Sequence, residues 1–301
     1  MTYLKIAIYL VVFIETVACS SSKQSAHVKM AGGQVATANQ FPSVVYFPEC
    51  TATKISERVF LTAAHCVVDQ YSLMLSSKVT PGHRLRIYYG VQLRSARHFD
   101  LTIQKVLIHP SYLEAINLAK QKDNPPAELK RSRAVDLSLI FIKEQTPEIT
   151  VAELTPNFIG DDYQKTTVGY GCEMTLSSDR IIVSGRHEEV DLSRRLKYAE
   201  MSKTSHDETE IIFHEKRLDD PEVGLCFGDS GGGVFIYKKK HLIIGEMISQ
   251  LVAVNSATTA GYKHHMVRLD DDGKYKNYSC IKAAMNSNYE NNDNRNLKPM
   301  C

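Results

Sequence analysis

"GDSGGG" occupies residues 228–233, directly after "LCF" at 225–227. Four glycines surround one carboxylate and one hydroxyl. Glycine lacks Cβ and reaches backbone angles that other residues resist, so such a turn can expose one side chain and aim backbone N–H groups beside it. That is a seat for a nucleophilic serine, Ser230. It is also what an ordinary glycine-rich loop looks like. Chemistry at Ser230 requires a base and an orienting acid elsewhere in the chain.

Two upstream segments offer them. "LTAAHC", 61–66, ends an apolar run in small residues and then places His65 beside Cys66. "AVDLSLIFI", 134–142, sets Asp136 at the head of an apolar run, where a carboxylate is costly to bury without partners. Each has a bland reading alone: a satisfied structural histidine, a turn aspartate, a glycine loop. Together, in the order His, Asp, Ser, they form a candidate catalytic set.

The surrounding pattern is that of an all-β protein. Short runs rich in β-branched and aromatic residues recur at 43–47, 84–91, 103–108, 137–142, 165–170, 210–213, 233–237 and 242–248, separated by turn-formers. The segment 113–135 has room for one or two helical turns before Pro125-Pro126 stops them. Residues 275–287 read as a C-terminal helix, and the Asn-rich 286–301 as a surface tail.

Composition narrows the class. The 301 residues, 43% hydrophobic and 23% charged, suit one or two globular domains with a full core. A net charge of +2 gives no reason to expect nucleic acid as a partner. The N-terminus "MTYLKIAIYLVVFIETVACSSSKQ" has Lys5, an apolar run over 6–14 and small residues ending at Cys19. It reads as an export signal over 1–19 and stands outside the fold; a buried N-terminal helix is the bland alternative. Its "VACSSS" ending resembles a bacterial lipoprotein signal, which implies a lipid anchor at Cys19 and a bacterial exported chain, secreted or held in the cell envelope, the outer membrane included. Thr16 departs from that pattern, which prefers leucine.

There are seven cysteines; without Cys19 six remain, and an even number in an exported chain points to disulfides. No CxxC occurs and no cysteine lies close to a paired histidine, so these cysteines are not expected to bind metal; no metal site and no cofactor are expected elsewhere.

On "LTAAHC" and "GDSGG" the chain resembles the chymotrypsin/trypsin-like serine proteases. "MAGGQVATANQFP", 30–42, is similar to the family's mature N-terminus and following strand, and "HPSY", 109–112, and "GYG", 169–171, have family counterparts. The resemblance covers residues 30–285. It implies two packed antiparallel Greek-key β-barrels with a short C-terminal helix: a propeptide over 20–29, a first barrel over 30–150 carrying His65 and Asp136, and a second over 151–285 carrying Ser230.

The resemblance also assigns roles. Ser230 attacks the peptide carbonyl of a protein or peptide substrate, His65 takes and returns the proton, and Asp136 orients the imidazole. The N–H groups of Gly228 and Ser230 receive the oxyanion. Asp229 pairs with the α-amine that cleavage after Lys29 releases at Met30, a cut made by a separate trypsin-like protease. The family has Ile or Val where this chain has Met30, a departure that an apolar, flexible side chain can accommodate. Cys50 pairs with Cys66 and Cys172 with Cys226, leaving Cys280 with Cys301.

Six residues before the serine stands Gly224, followed by Leu225, which implies a specificity pocket suited to an apolar side chain. The far wall falls within 249–265, where His264 or His265 either lines the pocket and favours an acidic side chain or faces solvent. The loop 113–135 is longer than in the digestive members, overhangs the cleft and carries "LKRSR", 129–133. The readings are an exported serine endopeptidase made as a zymogen, an acidic-residue-specific protease or esterase, and a catalytically silent binding relative.

Overall fold

The computed structural model of the protein describes residues 27–29, 33–69, 72–121, 132–160, 163–171, 173–177, 180–184, 192, 194–201, 204–214, 225–239, 247–259, 263–287 and 298–301. Two short strands come first, β1 (His27–Lys29) and β2 (Gln34–Val35). Then follow β3 (Val44–Phe47), β4 (Cys50–Ser56), β5 (Val59–Thr62), β6 (Arg84–Tyr89), β7 (Arg97–Ile108), helix α1 (Pro110–Lys120) and β8 (Ser138–Ile142). The second half contains β9 (Glu153–Leu154), β10 (Lys165–Gly169), β11 (Glu173–Ser177), β12 (Arg180–Ser184), β13 (Lys197–Met201), β14 (Thr204–His206), β15 (Glu210–His214), β16 (Gly233–Lys239), β17 (Met247–Thr259) and β18 (Lys263–Arg268). Helix α2 (Asn277–Asn286) and β19 (Lys298–Pro299) end the chain.

Strands β3 to β8 form a closed barrel. Their order is β7-β6-β3-β4-β5-β8, and β8 pairs again with β7, setting Leu139 opposite both Leu61 and Leu107. Closure removes the unpaired edges. The second sheet runs β14-β15-β18-β17-β16-β10-β13-β2, with β9 parallel to β17; it curls without closing among the described residues. Strand β1 lies apart, paired with β11, which pairs with β12.

The runs of apolar sequence follow from this packing. Successive side chains of a strand point to opposite faces. In β8, Ile140 and Ile142 fill the barrel, while Leu139 and Phe141 join the core between the two sheets. In β3, Val45 and Phe47 point inward, Val44 and Tyr46 toward the second sheet. In β16, Phe235 meets the shared core, and Val234 and Ile236 line the inside of the second sheet. Both faces are buried, so a one-residue slip exchanges one core for another, which pins the register.

Of the strand expected over 242–248, residues 242–246 lie outside the described residues and 247–248 open β17. Three further segments differ from their sequence-based expectation. Helix α1 starts at Pro110, earlier than 113, and runs 11 residues. Proline's fixed φ suits a first helical turn, and Tyr112, Ala115 and Ala119 bury one face at helical spacing. Pro125-Pro126 lies outside the described residues, as does 129–131 of the basic stretch.

The expected surface tail is docked at its end. Strand β19 pairs in parallel with β7, Met300 is buried, and Cys301 is disulfide-bonded to Cys280 on α2. Third, β7 extends back to Arg97 rather than starting at 103, because its first half completes the hairpin with β6.

Candidate active site

The barrel's topology brings His65 and Asp136 together. Strands β5 and β8 are antiparallel neighbours with Thr62 opposite Ser138. The chain leaving β5 therefore lies beside the chain entering β8. A 3₁₀ turn over Ala64–Cys66 carries His65, and Ser138 Oγ ties the two approaches by donating to Ala63 O at 3.2 Å. His65 Nδ1 stands 2.6 Å from Asp136 Oδ2, and the His65 backbone N–H donates to Oδ1 at 2.9 Å. Cys50 and Cys66 form a disulfide that staples the histidine turn to β4. Their sulfurs lie near the His65 ring, but a closed disulfide offers no thiolate to a metal.

Asp136 has a third partner that sequence reasoning missed. Ser256, on β17 of the second sheet, donates its hydroxyl to Asp136 Oδ2 at 2.7 Å. The only signal for it was a polar pair, Asn255-Ser256, closing the apolar run "LVAV". Asp136 is almost fully buried. Burial pushes its pKa up, but the His65 charge and the hydrogen bonds from His65 and Ser256 outweigh burial and leave it lowered. For His65, burial pulls the pKa down; the charge and hydrogen bond of Asp136 prevail and leave it raised.

The glycine-rich turn is fastened to both sheets. Thr51 of β4 donates its N–H to Ser230 O at 2.8 Å and its hydroxyl to Gly228 O at 2.7 Å. Gly231 N donates to Asn255 O, and Asn255 N to Gly232 O. Cys66 Sγ packs 3.7 Å from Ser230 O, so the serine's backbone abuts the histidine turn. Ser230 is half-buried, and among the described residues its hydroxyl has no hydrogen-bond partner. The N–H groups of Gly228 and Ser230 likewise meet no acceptor among the described residues.

Asp229 is fully buried. Its carboxylate accepts from Gly171 N at 2.7 Å and Cys226 N at 2.9 Å. Gly171 must lack a side chain, because a Cβ there would overlap the carboxylate. Burial raises the Asp229 pKa to about 6; the two N–H groups and the charges of Lys197 and Arg194 act against it.

The remaining expectations divide. Leu225 is half-buried against the inner core of the second sheet, and Phe227 beside it is exposed. His264 and His265 are both buried, which corrects the solvent-facing reading. Strand β18 lies inside the sheet, between β15 and β17. His265 Nδ1 is 2.9 Å from Glu210 Oε2; His264 sits opposite Thr258, two residues past Ser256. Cys226 is disulfide-bonded. Its expected partner Cys172 lies outside the described residues, as do Cys19, Met30 and Gly224. Lys29 ends β1.

Two β-sheets whose seam gathers a histidine–aspartate couple from one and a glycine-lined serine turn from the other define a protein of the two-barrel, trypsin-like fold. The chain belongs to the trypsin family: the Trypsin family model matches residues 30–267. Human heparin binding protein is similar in structure, with a TM-score of 0.56 at 15% identity, over 87% of this chain and 99% of that one. A Glu endopeptidase in complex with MPD is similar with a TM-score of 0.51 at 15% identity, over 80% of this chain and 91% of that one. At such identity both speak for the fold alone. Comparison with curated proteins finds no match.

Proposed function

We propose that this chain is a serine endopeptidase that hydrolyses peptide bonds of protein or peptide substrates through an acyl-enzyme. The observation that carries the reading is the couple of His65 and Asp136 at 2.6 Å, set beside the Ser230 turn. Ser230 Oγ attacks the scissile carbonyl, and His65 accepts its proton and delivers it to the leaving amine. Asp136 holds Nδ1–H, so that Nε2 faces the serine as a base, and it stabilises the imidazolium. The N–H groups of Gly228 and Ser230, which meet no acceptor among the described residues, receive the oxyanion.

Export through the segment 1–19, lipidation at Cys19 and removal of 20–29 by a trypsin-like protease belong to the same reading. The family match begins at Met30, the residue that this proposed cleavage would leave first.

A second reading concerns specificity. His264 is buried opposite Thr258, on the strand pair that carries Ser256, and an imidazole there suits an acidic substrate side chain. The test of hydrolase against silent binder is covalent labelling by a fluorophosphonate probe. Labelling of the wild type processed after Lys29, absent in Ser230→Ala, is the expected result; an unlabelled, folded, processed wild type would return the chain to the binding class.

A further inference from the structure

Arg194 stands just before β13 and is 5% exposed. A buried cation is costly unless its donors are used. Its Nη1 donates to Tyr170 O at 3.1 Å and to Phe227 O at 3.3 Å. Its Cζ lies 5.9 Å from the centroid of the Tyr46 ring, and its own carbonyl accepts from Leu93 N at 3.0 Å. The side chain thus bridges the "GYG" turn and the glycine-rich turn from beneath.

The contact with Phe227 fixes a direction. The Phe227–Gly228 peptide is trans, and in a trans peptide the C=O and N–H point to opposite sides. With the Phe227 carbonyl drawn inward to the guanidinium, the Gly228 N–H faces the other way. That N–H meets no acceptor among the described residues, as expected of a group directed at the cleft. Gly228 has φ +102°, and a Cβ on it would overlap Arg194 Nη1. The glycine therefore permits both the turn and the close approach of the cation.

We propose that Arg194 is a positioning residue for hydrolysis: by holding the Phe227 carbonyl it keeps the Phe227–Gly228 peptide oriented with its N–H toward the oxyanion. This deepens, and rests on, the serine endopeptidase reading. The same cation also favours the ionised form of Asp229, the next residue but one after Phe227.

The test uses the processed full-length enzyme with three substitutions. Arg194→Met keeps length and removes the donors, and apolar replacement of a buried cation is often tolerated. Arg194→Gln is too short to reach Phe227 O. Arg194→Lys keeps a donor, and since one nitrogen of Arg194 serves both carbonyls, an ammonium can do the same. The Met and Gln variants are expected to lose about a hundredfold in kcat, the scale of one oxyanion donor, with KM nearly unchanged. Lysine should restore most of the loss.

Affinity for a peptide boronate, whose tetrahedral adduct places an oxygen at the oxyanion position, should fall in step with kcat. Affinity for a non-covalent product peptide should hold. Should the Met variant not fold, the Gln and Lys variants carry the same comparison. Loss variants that keep wild-type kcat and boronate affinity, with only a lower melting temperature, overturn the proposal. So does an equal loss of product-peptide binding. A wild type that hydrolyses no peptide at all sinks the endopeptidase reading instead, before Arg194 is touched.

Discussion

Ser256 Oγ donates to Asp136 Oδ2 across 2.7 Å, a bond thrown from the second sheet into the first. It holds Oδ2 while the His65 backbone N–H holds Oδ1, so the acid of the candidate triad is held by both halves of the molecule. A hydrogen bond to a charged acceptor contributes about 1.5–3 kcal/mol. Ser256→Ala should cost stability on that scale in denaturant unfolding. It should lower kcat/KM on the order of tenfold without abolishing it, because His65 Nδ1 still holds the same oxygen. Unchanged unfolding and unchanged kcat/KM together would remove Ser256 from the site.

The pH dependence follows from His65. The reaction needs its imidazole neutral, and Asp136 raises its pKa above the ordinary 6.5. The acidic limb of kcat/KM should therefore lie above pH 6.5, with activity rising as pH increases through it. Asp136→Asn should shift that limb to lower pH and reduce kcat by about 10⁴, a magnitude taken from this same protease family. A limb that stays in place in the Asn variant would mean that Asp136 does not act on His65.

Much of this site was legible in the sequence, and the reason is local. His65 and Asp136 each sit within three residues of a strand end, and β5 and β8 are direct neighbours, so two short motifs locate the couple. Ser256 lies 120 residues from Asp136, and Arg194 lies 33 from Phe227. The role of Ser256 arises only when the two sheets pack, and that of Arg194 only when β10, β13 and β16 assemble in the second sheet; no local pattern marks either. The burial of His264 and His265 was hidden for a similar reason. Alternation along β18 is compatible with either face, and only the flanking β15 and β17 show that the strand is interior. The expected Cys280–Cys301 pairing anticipated the tail's anchor, but its polar composition concealed buried Met300 and two residues of strand pairing.

Asp229 gives a stability prediction with a definite sign. Its folded pKa is raised from 3.8 to about 6. The folded state therefore holds the proton more tightly, and the stabilisation is complete below pH 3.8 and lost as pH rises through about 6. The span corresponds to about 3 kcal/mol. Unfolding free energies of the unprocessed wild type and its Asp229→Asn variant, measured from pH 3.5 to 7.5, should differ by an amount that changes across this window, the wild type losing ground as pH rises. A pH-independent difference would contradict the raised value.

The two described disulfides should behave differently when removed. Each closes a loop of similar length, with separations of 16 and 21 residues, and each should contribute about 3 kcal/mol. Cys50–Cys66 anchors the residue after His65, so its double serine variant should lose both stability and kcat. Cys280–Cys301 ties the tail to α2 and lies beside His109 rather than His65. Its double serine variant should lose stability and retain kcat/KM. Equal kinetic losses in the two would show that the histidine turn does not depend on its own staple.

The last prediction concerns the bond after Lys29. The family resemblance places Gly224 at the floor of the specificity pocket, and neither it nor Leu225 offers a carboxylate. A substrate lysine there would bury an unpaired ammonium, at a cost of several kcal/mol, or at least hundreds-fold in rate. Buried His264 adds no negative charge to offset it. The chain should therefore not process itself at Lys29. Purified precursor incubated alone should keep its N-terminal segment. A trace of trypsin should yield a chain beginning at Met30, read by N-terminal sequencing. The control is Ser230→Ala precursor, which trypsin should cut at the same bond, since the cut is made in trans. Appearance of the Met30 terminus in untreated wild type, but not in untreated Ser230→Ala, would show self-cleavage after lysine and overturn the pocket assignment.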